Sequence, residues 1–337
     1  MKEESVKSIP ILITGGAGYI GSHAVNLASQ FNFFPITIDN FSAGHPWAIL
    51  HGASVKCDLK DKEKIRFVFK KYKPQAVMHF VAHTYVGESV QNPKKYYEDN
   101  IGNALNVLSI MLEFQVKRFI FSSSCAVYGN PIKIPISENH PKNPVNPYGE
   151  SKWFIEKVLQ SYDQAYGMKS CCLRYFNAAG ADKSGKIGEV HQPETHLIPL
   201  IFDVALKRSS KITIFGNDYP TPDKTCIRDY IHVTDLAQAH FLALKYLMAT
   251  NQSDSFNLGT GRGYSVREVI QEVQRTTKQP IPYEIGLRRA GDPAKLIAQA
   301  RKARLILKWT PRYSDLRTII KSAWQWHKSY FGKTKES

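Results

Sequence analysis

Short, almost unbroken apolar runs separated by amphipathic stretches constrain this chain more than any other feature. The runs fall at residues 9–14, 35–38, 55–57, 76–80, 119–122 and 170–173. Strands this apolar need cover on both faces, which is the setting of a parallel sheet rather than of a sheet with one wet side. Between them, residues 20–30, 62–71, 104–114 and 148–165 repeat apolar positions at helical spacing. A repeated β-α order predicts an α/β fold with a doubly wound parallel sheet over residues 1–180. Beyond residue 180, proline and glycine punctuate the pattern. Strands are expected at 211–215, 229–232 and 256–258, and helices at 197–206, 235–248, 265–276 and 316–330. These predict a smaller, mixed α/β C-terminal lobe over residues 181–337, with some chain crossing between the lobes. A chain of 337 residues that is 43% hydrophobic is long enough for both.

The start of the chain, MKEESVKSIP, mixes charges and has no apolar leader, and no stretch approaches the roughly 18 apolar residues of a membrane span. The expected setting is therefore cytoplasmic. Cys57, Cys125, Cys171, Cys172 and Cys226 form no C-x-x-C pair and read as reduced, mostly buried thiols. The net charge of +16 draws anions. Its lysines and arginines are scattered along the chain and no nucleic-acid module accompanies them, so the favoured anion is a diphosphate-bearing small molecule.

The stretch "ITGGAGYIGSH" directly follows the first expected strand and opens the first expected helix. Gly15, Gly18 and Gly21 let backbone approach a pyrophosphate, whose charge then lies at the positive end of that helix. Asp39 ends the second strand about 20 residues on, where a carboxylate would bind the ribose hydroxyls and repel a 2′-phosphate. That combination predicts a dinucleotide site and favours NAD over NADP. Tyr148 and Lys152 are four residues apart at the start of a helix and share a face. A neighbouring ammonium and the positive nicotinamide would bring the tyrosine towards a working pKa, making it a general base with Ser124 bonding the same substrate oxygen.

The ordered motifs "TGGAGYIGSH", "SSSCAVYG", "YGESK", "RYFNAAGA", "HLIPL", "IFGNDYPTPDKTCIRDYIHVTDLA", "FNLGTGRGYS" and "RRAGDPAKL" together resemble the UDP-glucose 4-epimerases of the extended short-chain dehydrogenase/reductase superfamily. The likeness runs over residues 9–327. It implies NAD held by Gly15, Gly18, Tyr19, Ile20 and Gly21, by Asp39 and Asn40 at the ribose, and by Asp58 and Leu59 beside adenine. Phe80, Ala82, Asn100, Ser122, Tyr148, Lys152 and Tyr175 would complete that pocket. It further implies a UDP-sugar at Ser124, Tyr148, Phe176, Asn177, His196, Leu197, Thr213, Phe215, Arg228, Arg289 and Asp292, which makes residues 181–337 the UDP-sugar-binding lobe.

The implied activity interconverts UDP-galactose and UDP-glucose in galactose metabolism, through a 4-keto sugar that turns over and takes its hydride back. Tyr148, Lys152 and Ser124 would be the catalytic residues, and the family's dimers imply a homodimer across the helices near 104–114 and 154–165. His196 stands where many members carry asparagine, and Val81, His83 and Thr84 also depart from common forms. Leu296 falls at the sugar-pocket gate. Its intermediate size implies preference for UDP-glucose and UDP-galactose, with weak use of acetamido sugars.

Related UDP-sugar 4-epimerases for N-acetylhexosamines, pentoses or uronates, and a non-catalytic NAD-binding protein, are the alternatives. A 4,6-dehydratase would need an acid and base where Cys125 and Ala126 stand. The histidines include no H-E-x-x-H, so no metal is expected. "GTGRG" reads as a strand-to-helix turn followed by a capping box at Ser265 and Glu268. Trp324 and Trp326 read as packing, and the terminal KTKES as a mobile tail.

Overall fold

In the computed structural model, which describes residues 8–289 and 292–332, one seven-stranded sheet organises the molecule. Its strands are β1 (Ile9–Thr14), β2 (Phe33–Asp39), β3 (Ala53–Lys56), β4 (Val77–His79), β5 (Arg118–Ser124) and β6 (Lys169–Tyr175), with Asp254–Leu258 at one edge. Every neighbouring pair is parallel, and the order runs from Asp254–Leu258 through β6, β5, β4, β1 and β2 to β3. The winding direction reverses between β1 and β4, which opens a crevice at the carboxyl ends of these strands.

Apolar side chains fill both faces of the sheet. On one face the helices Tyr19–Leu27 and Val233–Thr250 contribute Val25, Leu236 and Phe241. On the other, the helices Lys62–Tyr72, Gly102–Glu113 and Pro147–Tyr166 contribute Phe69, Val107 and Ile155. A separate core lies in the second lobe, where Ile201, Phe202, Ile214, Val269 and Ile320 pack together.

Two second-lobe expectations are corrected. The strand expected at 256–258 and the helix expected at 235–248 belong to the large sheet, because Phe256 and Phe241 bury against β6 and the first helix rather than among second-lobe residues. The strand expected at 229–232 forms at Tyr230–His232, and a second strand in another sheet, Ile227–Arg228, precedes it outside the expected range. Ile227–Arg228 pairs with Tyr264–Ser265 and Lys295–Leu296, whereas Tyr230–His232 pairs with Asn177–Ala179. Asp229 separates them because its buried carboxylate accepts backbone N–H groups of Thr260, Gly261 and Ala298. The same bonds make "GTGRG" a turn, and the Ser265–Glu268 capping box follows it. Trp324 packs on Phe202, and Trp326 on Trp47 and Tyr330. The cysteines are all free, and Cys57, Cys171 and Cys172 are buried. The KTKES tail lies outside the described residues, as do Ala290 and Gly291 of the "RRAGDPAKL" motif.

Candidate active site

The glycine stretch begins where β1 ends. Gly15 has φ +73°, a left-handed conformation that side-chain-bearing residues resist, and its N–H donates to Ile38 O at 2.8 Å. Gly21 is required for a different reason: a Cβ there would stand 2.1 Å from Gly15 O. Gly18 caps the helix Tyr19–Leu27 with no side chain over its first turn, so the free amides and the positive helix end face outward together. This cradle has the shape an anionic pyrophosphate needs. Ile20 packs into the core behind it, and the Tyr19 hydroxyl donates to Gly180 O at 2.6 Å.

Asp39 is buried at the tip of β2. Its carboxylate accepts from Ala17 N at 3.0 Å and Phe41 N at 2.8 Å. Burial raises its pKa, and these two amide bonds oppose the rise. Next to it, Asn40 donates to the Asp58 carboxylate at 3.0 Å, while Leu59 is buried and its carbonyl holds Asn106. Phe80 lies 4.7 Å from the His240 ring, and Ala82 is half-buried beyond it. Asn100 fixes this loop from below. It accepts from His83 N at 2.7 Å and donates to His83 O and to Ser151 Oγ, both at 3.1 Å. Its amide is therefore a scaffold for the loop Val81–Thr84, beyond the cofactor contact that the sequence suggested.

The residues expected to transfer the proton meet at the end of β5. Ser124 Oγ accepts from Ala126 N at 3.1 Å and so starts the following turn. Asn146 caps the helix Pro147–Tyr166 through Gly149 N, which places Tyr148 and Lys152 on one inward face. Tyr148 is 8% exposed and Lys152 is 3% exposed. Lys152 donates to Ser122 O at 2.8 Å and lies 4.8 Å from the Phe121 ring centre. Ser122 Oγ is 2.9 Å from Tyr175 Oη.

The protein's own groups do not bring Tyr148 down. Burial holds its pKa well above the ordinary 10, chiefly by desolvation, with Ser124 pulling the other way. Lys152 is instead pushed down to about 7 by burial, against the attraction of Glu156. The ammonium is spent on the Ser122 carbonyl, so lowering of the tyrosine must come from charge that a bound ligand brings.

A second constellation lies in the smaller lobe. Arg228 pairs with Asp292 and also donates to Ile227 O at 2.8 Å, and Tyr219 donates to the other Asp292 oxygen at 3.1 Å. Arg289 stacks its guanidinium 4.1 Å from the exposed Phe215 ring. Leu296 is the register partner of Arg228 and packs with Phe176 and Tyr128. Asn177 pairs through its backbone with Tyr230, two residues after Arg228 in sequence. Thr213 is further committed, because its hydroxyl donates to Glu284 at 3.0 Å. His196 and Leu197 open the helix Leu197–Ala205, but Nδ1 of His196 turns to Glu189 at 2.5 Å.

Family membership is decided by comparison with known proteins. The family model described as "NAD dependent epimerase/dehydratase family" matches residues 11–259. The chain belongs to this family. A UDP-glucose 4-epimerase of Halalkalibacterium halodurans is 49% identical over 320 residues, covering 95% of this chain and 96% of that protein. The structure of a UDP-glucose 4-epimerase from Brucella ovis in complex with NAD superposes with a TM-score of 0.92 at 46% identity, covering 95% of this chain and 98% of that one. That from Bifidobacterium longum in complex with NAD+ and UDP gives 0.89 at 36% identity, covering 95% and 98%. The resemblance read from the motifs is thus borne out.

Within this epimerase/dehydratase frame, sequence reasoning missed two groups. Tyr219, inside a quoted motif, holds Asp292. The set Glu189, His191, Glu194 and His196 escaped because its E-x-H-x-x-E-x-H spacing matches no familiar metal motif, although the alternation of acid and imidazole over eight residues was legible.

Proposed function

We propose that this chain interconverts UDP-galactose and UDP-glucose by reversible, NAD-mediated hydride transfer at sugar C4. The observation that carries the reading is the buried Tyr148–Lys152 face at the end of β5, in the same crevice as the glycine cradle. NAD, when bound, supplies an acceptor for the C4 hydride and a positive ring near the tyrosine. Gly15, Gly18, Tyr19, Ile20, Gly21 and Asp39 would hold it, with Asn40, Asp58, Leu59, Phe80, Ala82, Asn100, Ser122 and Tyr175 around it.

Tyr148 Oη would take the proton of the 4-hydroxyl and return it to the same oxygen once the turned 4-keto sugar has taken the hydride back on its opposite face, while Ser124 holds that oxygen. Lys152, fixed on Ser122 O, anchors the helix Pro147–Tyr166 to β5, and the positive charge that stabilises the tyrosinate would come with bound NAD. Arg228 and Arg289 would clamp the diphosphate, and Asn177, His196, Leu197, Thr213, Phe215 and Asp292 would line the nucleotide side. A firm grip at the diphosphate with few polar contacts at the hexose lets the sugar rotate without escaping. Leu296 beside Phe176 narrows the hexose pocket, which supports preference for unsubstituted sugars over N-acetylated ones. A homodimer across the helices Gly102–Glu113 and Pro147–Tyr166 is supported by the exposed Phe154, and a cytoplasmic location by the free cysteines.

Purified protein incubated with UDP-galactose and followed by NMR tests the reading. UDP-glucose is expected from the wild type, and at least about 100-fold less from Tyr148→Phe with its circular dichroism unchanged. NAD binding without any change in UDP-hexose would overturn it.

A further inference from the structure

Four side chains from one short segment converge beside the glycine loop with no role in the chemistry above beyond the nucleotide contact of His196. One ring nitrogen each of His191 and His196 and one carboxylate oxygen each of Glu189 and Glu194 all lie within 4.8 Å of one another. His191 Nδ1 is 3.4 Å from Glu189 Oε1 and 3.5 Å from Glu194 Oε2, and His196 Nδ1 is 3.7 Å from Glu194 Oε1. Ligands at about 2.0–2.1 Å from a tetrahedral cation stand about 3.3 Å apart, and the His191 separations are close to that edge; the two histidines face different oxygens of Glu194, whose carboxylate would turn to present one of them. Only the His196–Glu189 contact, at 2.5 Å, is shorter, because a hydrogen bond now joins them.

His191 Nδ1 is the second observation. It is buried and makes no hydrogen bond, although two carboxylates face it. Both carboxylates stand at ion-pair distance from this nitrogen without reaching hydrogen-bond geometry. The surroundings hold it there. The His191 ring meets the edges of Tyr19 at 6.4 Å and Tyr85 at 6.3 Å, and the Tyr85 hydroxyl donates to Pro193 O at 2.8 Å. Glu194 is oriented by the N–H groups of Thr195 and His196, both at 2.8 Å, and the Glu189 carbonyl accepts from Trp326 Nε1 at 3.3 Å.

We propose that Glu189, His191, Glu194 and His196 form a structural site for one divalent cation of the zinc class. Two nitrogens among the donors disfavour magnesium and calcium, which take six or more oxygens, whereas zinc accepts two imidazoles and two carboxylates. Four protein ligands fill a tetrahedron, so the ion has no open position for substrate and stitches the segment instead. It fixes the loop preceding the helix Leu197–Ala205 against Tyr19 of the cofactor loop, and it sets the orientation of the His196 ring.

Untagged, full-length protein stripped with EDTA should bind one equivalent of zinc from ZnCl2, read by elemental analysis after desalting, with a rise in melting temperature. Loading with CoCl2 should give the intense visible absorption of tetrahedral cobalt. His191→Gln and Glu194→Gln should each weaken zinc binding by at least about tenfold. Retention of less than half an equivalent, a weak octahedral cobalt spectrum, or binding unchanged in folded His191→Gln would each overturn the site. The cobalt spectrum is read on the unsubstituted protein, so it decides even if a variant fails to fold, and none of these readouts depends on epimerase activity.

Discussion

Lys152 shows how one residue can be costly to the fold and useful to the site. Its ammonium is buried and its pKa falls from 10.5 to about 7. Between those values the unfolded chain binds more protons than the folded one, so the penalty is fully present below about pH 7 and fades as pH rises towards 10.5. Lys152→Met should therefore be more stable than the wild type at pH 6, and the advantage should shrink by about 1.4 kcal/mol per pH unit above pH 7. Urea melts of both proteins across that range test this, and a constant difference would contradict it. The placement of Asp39 at a strand end and of Tyr148 and Lys152 on one helix face was legible, because spacing within an element is local information. The direction of the Tyr148 shift was not, since desolvation depends on what the fold places over the ring.

At the scale of elements, the strand–glycine–helix unit is limited by backbone contact. A Cβ at Gly21 would meet Gly15 O at 2.1 Å, whereas at Gly18 the nearest atom is 3.4 Å away. Gly21→Ala should lower the melting temperature and abolish NAD retention. Gly18→Ala should fold normally and weaken NAD binding alone, as thermal melts and dinucleotide titration would show. Equal melting temperatures for the two variants would contradict this account.

A second junction ties β5, β6, the helix Pro147–Tyr166 and the edge strand. Arg174 Nε donates to Glu156 at 2.9 Å, Ser123 donates to Glu156 at 2.6 Å, and Tyr128 bridges Arg174 to Asn257 at 3.0 and 2.6 Å. Arg174 and Glu156 are buried, so removing one charge strands the other. Glu156→Gln should cost about 3–5 kcal/mol in urea denaturation. Nothing local marked these residues, which come from segments far apart in sequence.

Across the whole molecule, four histidines are buried in neutral form. Burial lowers His79 from 6.5 to about 3, and His23, His232 and His240 to about 4. The unfolded chain takes up these protons first, so stability holds above about pH 6.5 and is lost as pH falls towards 4. Each histidine contributes a slope of about 1.4 kcal/mol per pH unit in that window. Denaturation midpoints should therefore drop steeply from pH 6.5 to 4.5, and a flat profile would contradict the neutral assignment.

The sequence by itself determined the β-α alternation, the glycine loop, Asp39 and the Tyr148–Lys152 face, because each rests on periodicity or on spacing within one or two elements. Only the tertiary structure decided that Asp254–Leu258 joins the large sheet, that a strand Ile227–Arg228 precedes the expected one across Asp229, that Asn100 braces the His83 loop, and that Glu189, His191, Glu194 and His196 lie within 4.8 Å of one another. Those outcomes depend on which distant surfaces bury each other and which buried polar atoms must find partners, and neither quantity exists until the chain has closed on itself.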